Sequence, residues 1–313
     1  MPDWQLKTPV AFIIFKRPEA TERVFAEIRN VKPPKLLVVA DGPRADRPGE
    51  DRDCDRDRAI IERVDWDCEV LKNYADVNLG CRRRVSSGID WVFDTVEEAI
   101  IEDDCLPDPT FFRFAEELLD RYRDDRRIMS ISGQNVQFGR KRTDYSYYFS
   151  RYNHCWSWAS WRRAWQHYDL DMKLWPEIRD GNFLADILGD PQAVKVWTKT
   201  FQLCYEGKID TWDFQWAFAS FIQNGMNILA NVNLASNIGQ GTGGTHTADV
   251  SSPYNNMAAE ALTFPLKHPP FAIRDAPADN FTQNTLYDYD PPLLKKVQKK
   301  VHKLLKKTKL NQR

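Results

Sequence analysis

The stretch Ala99-Ile100-Ile101-Glu102-Asp103-Asp104 decides the reading of this chain. A short apolar run stops abruptly on three consecutive acids, the pattern of a buried strand that delivers carboxylates to the end of a sheet. Working outward, Val10–Phe15 is a strand of the same kind, with Pro18 opening a helix behind it. The run 36–40 is another, closed by the turn signal Asp41-Gly42-Pro43. Residues 69–73 give a third strand, and 86–93 a helix with Ile89, Val92 and Phe93 facing inward. The helix expected over 110–123 carries Phe111, Phe114, Leu118 and Tyr122 at helical spacing, and 128–132 is a fifth strand. Apolar strands alternating with amphipathic helices predict a mostly parallel sheet flanked by helices, an α/β Rossmann-like fold. The charged segment 45–58 has almost no apolar residues and reads as a solvated loop running into a helix that ends near Val64.

Composition is consistent with that architecture. The chain has 313 residues, 42% of them hydrophobic, enough for one large α/β domain. Its net charge of -1 hides an asymmetry. Residues 293–313 hold eight Lys, one Arg and no acid, so the other 292 residues sum to -10. A body that acidic is not expected to bind nucleic acid, which takes a basic footprint. The six cysteines are scattered without zinc-ligand spacing. No secretory leader and no bilayer-spanning run are expected, which predicts a cytoplasmic protein. Leu293, Leu294, Val297, Val301, Leu304 and Leu305 make one stripe of a basic amphipathic helix over 291–313. Such a helix, through 293–310, can lie on an anionic membrane surface, placing the protein at the inner face, or dock on the acidic body.

Three adjacent acids at a strand end repel one another unless something positive offsets them. Mg²⁺ or Mn²⁺, held by one or two carboxylates with phosphate oxygens and water completing the shell, does so. Open α/β sheets bind ligands outside the carboxyl ends of their strands, where this triplet falls. The bland alternative, an acidic turn capping the next helix, suits Asp108 before Pro109 but leaves the triplet unexplained.

Taken in order, VAFIIFKRP, LLVVADGPR, NLGCRRR, AIIEDDCLPDPTFF, CWSWASWRRAW and WDFQWAFA resemble the GT-A-fold glycosyltransferases of the nucleotide-diphospho-sugar transferase superfamily. The likeness is nearest to bacterial family-2-like members and covers roughly residues 8–250; the acidic triplet is similar to that of the Golgi N-acetylglucosaminyltransferases. The resemblance implies that Asp104 reaches the metal, that Asp103 lies near the ribose or sugar, and that Phe15, Lys16, Arg17 and Asp41 meet the nucleotide. It also implies phosphate or sugar contacts from Arg82 and Arg84, and a late metal or phosphate ligand at His246 in the Gly-rich stretch 237–246. Arg82, Arg83 and Arg84 are also compatible with a solvated helix face, and His246 with an exposed loop.

Direct displacement at the anomeric carbon needs a carboxylate to take the acceptor's proton. Asp213 resembles the family's acid before a helix, with Asp210 in reserve; the structural alternative is a first-turn acid favoured by the helix dipole. Trp158, Trp161 and Trp165 share a helical face at their spacing, and Trp161 and Trp165 read as core. Trp156 and Trp158, before that helix, suit an acceptor sugar subsite, with His154 beside them either binding acceptor or packing.

The expectation is therefore a single catalytic domain over 1–290, with a nucleotide-binding half to 133 and an acceptor-side half from 134, succeeded by the basic tail. Its chemistry is metal-dependent, inverting transfer of a sugar from a nucleotide-diphosphate donor to a carbohydrate or lipid-linked acceptor. The rivals are a nucleotidyltransferase, for which the Gly-rich loop after the first strand is missing, and a non-catalytic carbohydrate-binding protein.

Overall fold

A computed structural model describes residues 4–239 and 257–287. His246 and the basic tail 291–313 lie outside the described residues.

The amino-terminal half alternates strands and helices: β1 (Val10–Ile14), α1 (Pro18–Val31), β2 (Lys35–Ala40), α2 (Glu50–Ile61), β3 (Glu69–Tyr74), α3 (Gly80–Thr95) and β4 (Glu98–Glu102). A short β5 (Cys105–Pro107) comes next, then α4 (Thr110–Arg121) and β6 (Ile128–Ser132). The other half contributes β7 (Tyr147–Ser150), β8 (Trp158–Trp161), α5 (Arg162–Trp165), α6 (Trp175–Asp180), α7 (Phe183–Leu188), α8 (Pro191–Tyr205), α9 (Asp213–Ile222), β9 (Met226–Ala230), β10 (Ala235–Asn237) and α10 (Ala276–Thr282).

Eight strands form one mixed sheet in the order β3-β2-β1-β4-β8-β6-β9-β7. The pairs β3–β2, β2–β1, β1–β4 and β6–β9 are parallel, whereas β8 runs antiparallel between β4 and β6 and β7 lies antiparallel to β9. Helices cover both faces, which is why β1 and β2 read as continuous apolar runs. Alternate residues of β1 serve the two faces: Val10, Phe12 and Ile14 pack with Val24, Phe25 and Ile28 of α1, and Ala11 packs with Ile89, Val92 and Phe93 of α3. Gly88 permits the close approach of α3 to β2, since a Cβ there would overlap the Val39 side chain.

Two local expectations need correction. Trp158 and Trp161 lie on strand β8, and only Trp165 on a helix. The period is therefore two at first: Trp158 packs with Trp165, Trp212 and Trp216 on one face, while Trp161 joins the core on the other. The charged segment 45–58 is less solvated than its composition implies. Glu50, Cys54 and Asp57 on α2 are buried, with Glu50 paired to Lys16 and Arg44 and Asp57 accepting from the Arg17 amide.

The β5–β10 ribbon ties the two halves together beside the acidic triplet. Asn237 pairs with Cys105, and the Ile238 amide donates to the Asp104 carbonyl at 3.1 Å, so a loop from the second half lies across the three acids.

Candidate active site at the carboxyl end of the sheet

Glu102 is the last residue of β4, and Asp103 and Asp104 form the turn into β5. The strand end thus separates the three acids by environment. Glu102 is fully buried, accepts from Ser157 Oγ at 2.8 Å and is pushed well above the usual carboxylate range by burial. Asp103 is also raised by burial, and its Oδ1 is buried with no protein partner. Asp104 is part-exposed and ion-paired with Arg17, at the start of the α1 connection.

Asp103, Asp104 and Cys105 are a group of metal-capable side chains among the described residues, with ligand atoms within 4.8 Å of one another. A divalent cation fits this donor set. Its oxygens are those a hard ion prefers, and the orphaned Asp103 Oδ1 is costly to bury unless a cation, water or ligand donor pairs with it.

Two thiols report how the rest of the site converges. Cys81, at the start of α3, is pushed up to about 12 by burial and then by the carboxylates of Asp213, Asp210, Asp103 and Asp41. Cys155, preceding β8, is raised by burial and then by Asp213 and Asp103. Both thiols therefore sit within electrostatic reach of Asp103, in the turn after β4, and of Asp213, in the first turn of α9. Neither thiol stands out in the sequence. A diphosphate approaching Asp103 and Asp104 without a cation meets like charge.

The other residues singled out from sequence have more structural roles. Asp41 Oδ1 accepts from the amides of Gly42 and Leu79, each at 2.9 Å, and Oδ2 from Asn78 Nδ2 at 2.9 Å; it clamps the β2 and β3 exit loops rather than offering free oxygens to a base. Arg84 is buried and donates to the Ala40 and Asn73 carbonyls. Arg82 donates to the Leu170 carbonyl at 2.8 Å and approaches Asp171. Lys16 pairs with Glu50 and lies 5.3 Å from the centroid of the half-buried Phe15 ring. Asp210 accepts from the Arg82 amide in the first turn of α3, and Asp213 accepts from Thr211 Oγ1.

On the acceptor side, Trp158 is 2% exposed and stacked against Trp212 with ring centroids 5.6 Å apart, so it presents no face to a sugar. Trp156 is half-buried. His154 is buried with Nε2 unpartnered, and burial lowers its pKa to about 4, keeping the imidazole neutral at pH 7.

No family model matches this chain, and no curated protein matches it either. Among solved structures, one similar chain is the 4-diphosphocytidyl-2C-methyl-D-erythritol synthase from Anaerococcus prevotii, at 13% identity over 50% of this chain and 71% of that one, with a TM-score of 0.30. No described helix is long and apolar enough to cross a membrane.

Proposed function

We propose that this protein is a metal-dependent glycosyltransferase that takes a sugar from a nucleotide-diphosphate donor and passes it to an acceptor hydroxyl with inversion. The observation that carries the reading is the acidic turn after β4, where Asp103 keeps a buried oxygen without a protein partner close to the carboxylate of Asp104. Displacement with inversion needs a cation site on the leaving-group side and a carboxylate on the other. Asp104, with Asp103, would hold Mn²⁺ or Mg²⁺, which supplies charge neutralisation to the departing diphosphate. Asp213 takes the acceptor proton onto its carboxylate, Thr211 orients it, and Trp156 contributes an indole face to the acceptor.

The nucleotidyltransferase alternative is disfavoured by Phe15-Lys16-Arg17-Pro18, which lacks a Gly-rich loop after β1. The non-catalytic sugar-binding alternative loses Trp158 to the core. Incubation with UDP-, GDP- and dTDP-sugars, with and without Mn²⁺, tests the proposal. One donor should be slowly hydrolysed only when the metal is present. Sugar binding that needs neither nucleotide nor metal would contradict it.

A further inference from the structure

Arg17 and Asp104 are 87 positions apart in sequence, yet their charged groups pair at the turn that also carries the unpartnered, buried Asp103 Oδ1. The backbone beneath Arg17 is fixed on both sides. Lys16 before it takes the left-handed conformation at φ 47°, α1 starts at Pro18 after it, and its own amide donates to Asp57 Oδ2 at 3.0 Å. The side chain is about one-fifth exposed. Gly239 lies directly over the pair, and any side chain there would overlap both Asp104 Oδ2 and Arg17 Nη1. Gly239, from the second half, therefore packs directly against the paired charges.

We propose that Arg17 is a positioning residue that couples cation binding to nucleotide binding, by exchanging the Asp104 carboxylate for a diphosphate oxygen. This deepens the function proposed above and rests on it. A divalent cation arriving alone must displace the guanidinium from Asp104 and leave it beside another positive charge. A nucleoside diphosphate arriving alone faces Asp103 and Asp104 with Arg17 already engaged. Arriving together, the cation takes the carboxylate while the arginine fork takes the phosphate, a geometry it suits. No pairing is then lost, so each ligand raises the affinity for the other, and by linkage the factor is the same in both directions. A purely structural Arg17–Asp104 pair would support folding and leave this factor untouched.

The test is calorimetric titration of wild type, Arg17→Gln and Arg17→Lys with Mn²⁺ alone, with UDP, GDP or dTDP alone, and with Mn²⁺ at saturating nucleotide. In wild type, one nucleotide should tighten Mn²⁺ on the order of tenfold, within the range common for coupled sites. In Arg17→Gln, Mn²⁺ alone should bind more tightly than to wild type, nucleotide more weakly, and the coupling factor should fall towards one. Arg17→Lys, with charge but no fork, should lie between them. If Arg17→Gln does not fold, Arg17→Met, which keeps the packing of the stem, carries the same expectation. A coupling factor in the Gln or Met variant equal to that of wild type would overturn the inference while leaving the proposed function standing. Absence of Mn²⁺ binding to wild type with every nucleotide would overturn both.

Discussion

Both ends of the sheet carry charged side chains and use them differently. At the amino end, where β4 and β6 begin, a cavity of about 530 Å³ is lined by Arg123, Asp124, Arg126, Met129, Arg163, Gln166 and His167. Yet two of these arginines, Arg163 and Arg123, are engaged. Arg163 donates to the carbonyls of Arg123, Ile128 and Tyr122 and lies over the Trp161 ring, and Arg123 pairs with Glu98 and Asp120. At the carboxyl end, Asp103 keeps a buried oxygen without a partner, His154 keeps a buried ring nitrogen without one, and acids from β4 and α9 gather round Cys81. A cavity therefore locates a site less well than unfinished hydrogen bonding does. Charges that satisfy one another hold a fold together, whereas buried polar atoms lacking partners cost stability that a ligand can restore.

The largest expected effect falls at the carboxyl end. Asp213→Asn keeps the shape and removes the base, so turnover should fall by roughly 10²–10⁴-fold while donor affinity stays close to wild type. Steady-state kinetics together with donor titration check this, and a large loss of donor affinity would remove Asp213 from the base role. Next, Trp158→Ala should cost roughly 3–5 kcal/mol by urea denaturation, because the indole fills a buried aromatic cluster. Trp156→Ala should leave stability nearly unchanged and raise the acceptor KM. The reverse pattern would return the sugar platform to Trp158. At the amino end, Arg163→Ala should destabilise by roughly 2–3 kcal/mol through the loss of its three hydrogen bonds to carbonyls and of its packing on Trp161, and leave donor affinity untouched. A change in donor affinity would mean the two ends are not separate in function.

The same contrast separates what is legible in the sequence from what is not. Strands β1, β2, β4 and β6 can be read from runs such as Val10–Ile14, because burial on both faces leaves a continuous apolar signal. The acidic triplet is visible because adjacent acids at a strand end demand an explanation. Trp158 misleads because its spacing to Trp161 and Trp165 fits a helix as well as a strand running into a short helix, and β8 is only four residues long. The buried Glu50, Asp57 and Arg84 are hidden for a different reason. What makes their burial tolerable is a partner far along the chain, such as the Arg17 amide for Asp57, and composition carries no trace of it. The Arg17–Asp104 pair and the convergence on Cys81 and Cys155 are contacts of the same long-range kind.

The smallest effects concern two buried groups that titrate in opposite senses. Burial raises Asp57 to about 6, from 3.8. Between pH 4 and 6 the folded chain keeps a proton that the unfolded chain has released, so this contribution to stability is lost as pH rises through that window. Burial lowers His154 to about 4, from 6.5, so its contribution is present above pH 6.5 and is lost as pH falls towards 4. Melting temperature tracked against pH should show the first slope flattened in Asp57→Asn and the second in His154→Gln. Unchanged slopes would show that neither group is as enclosed as described.

On the proposed reading, a cation clamped at the β4 turn would make diphosphate binding favourable beside Asp103 and Asp104. Donor affinity measured for wild type and Asp104→Ala, each with Mn²⁺ and with EDTA, tests it most directly. Wild type should bind its donor much more tightly with the metal, and the variant should bind equally weakly in both. Metal-independent donor binding by wild type, or an undiminished metal effect in Asp104→Ala, would contradict the account.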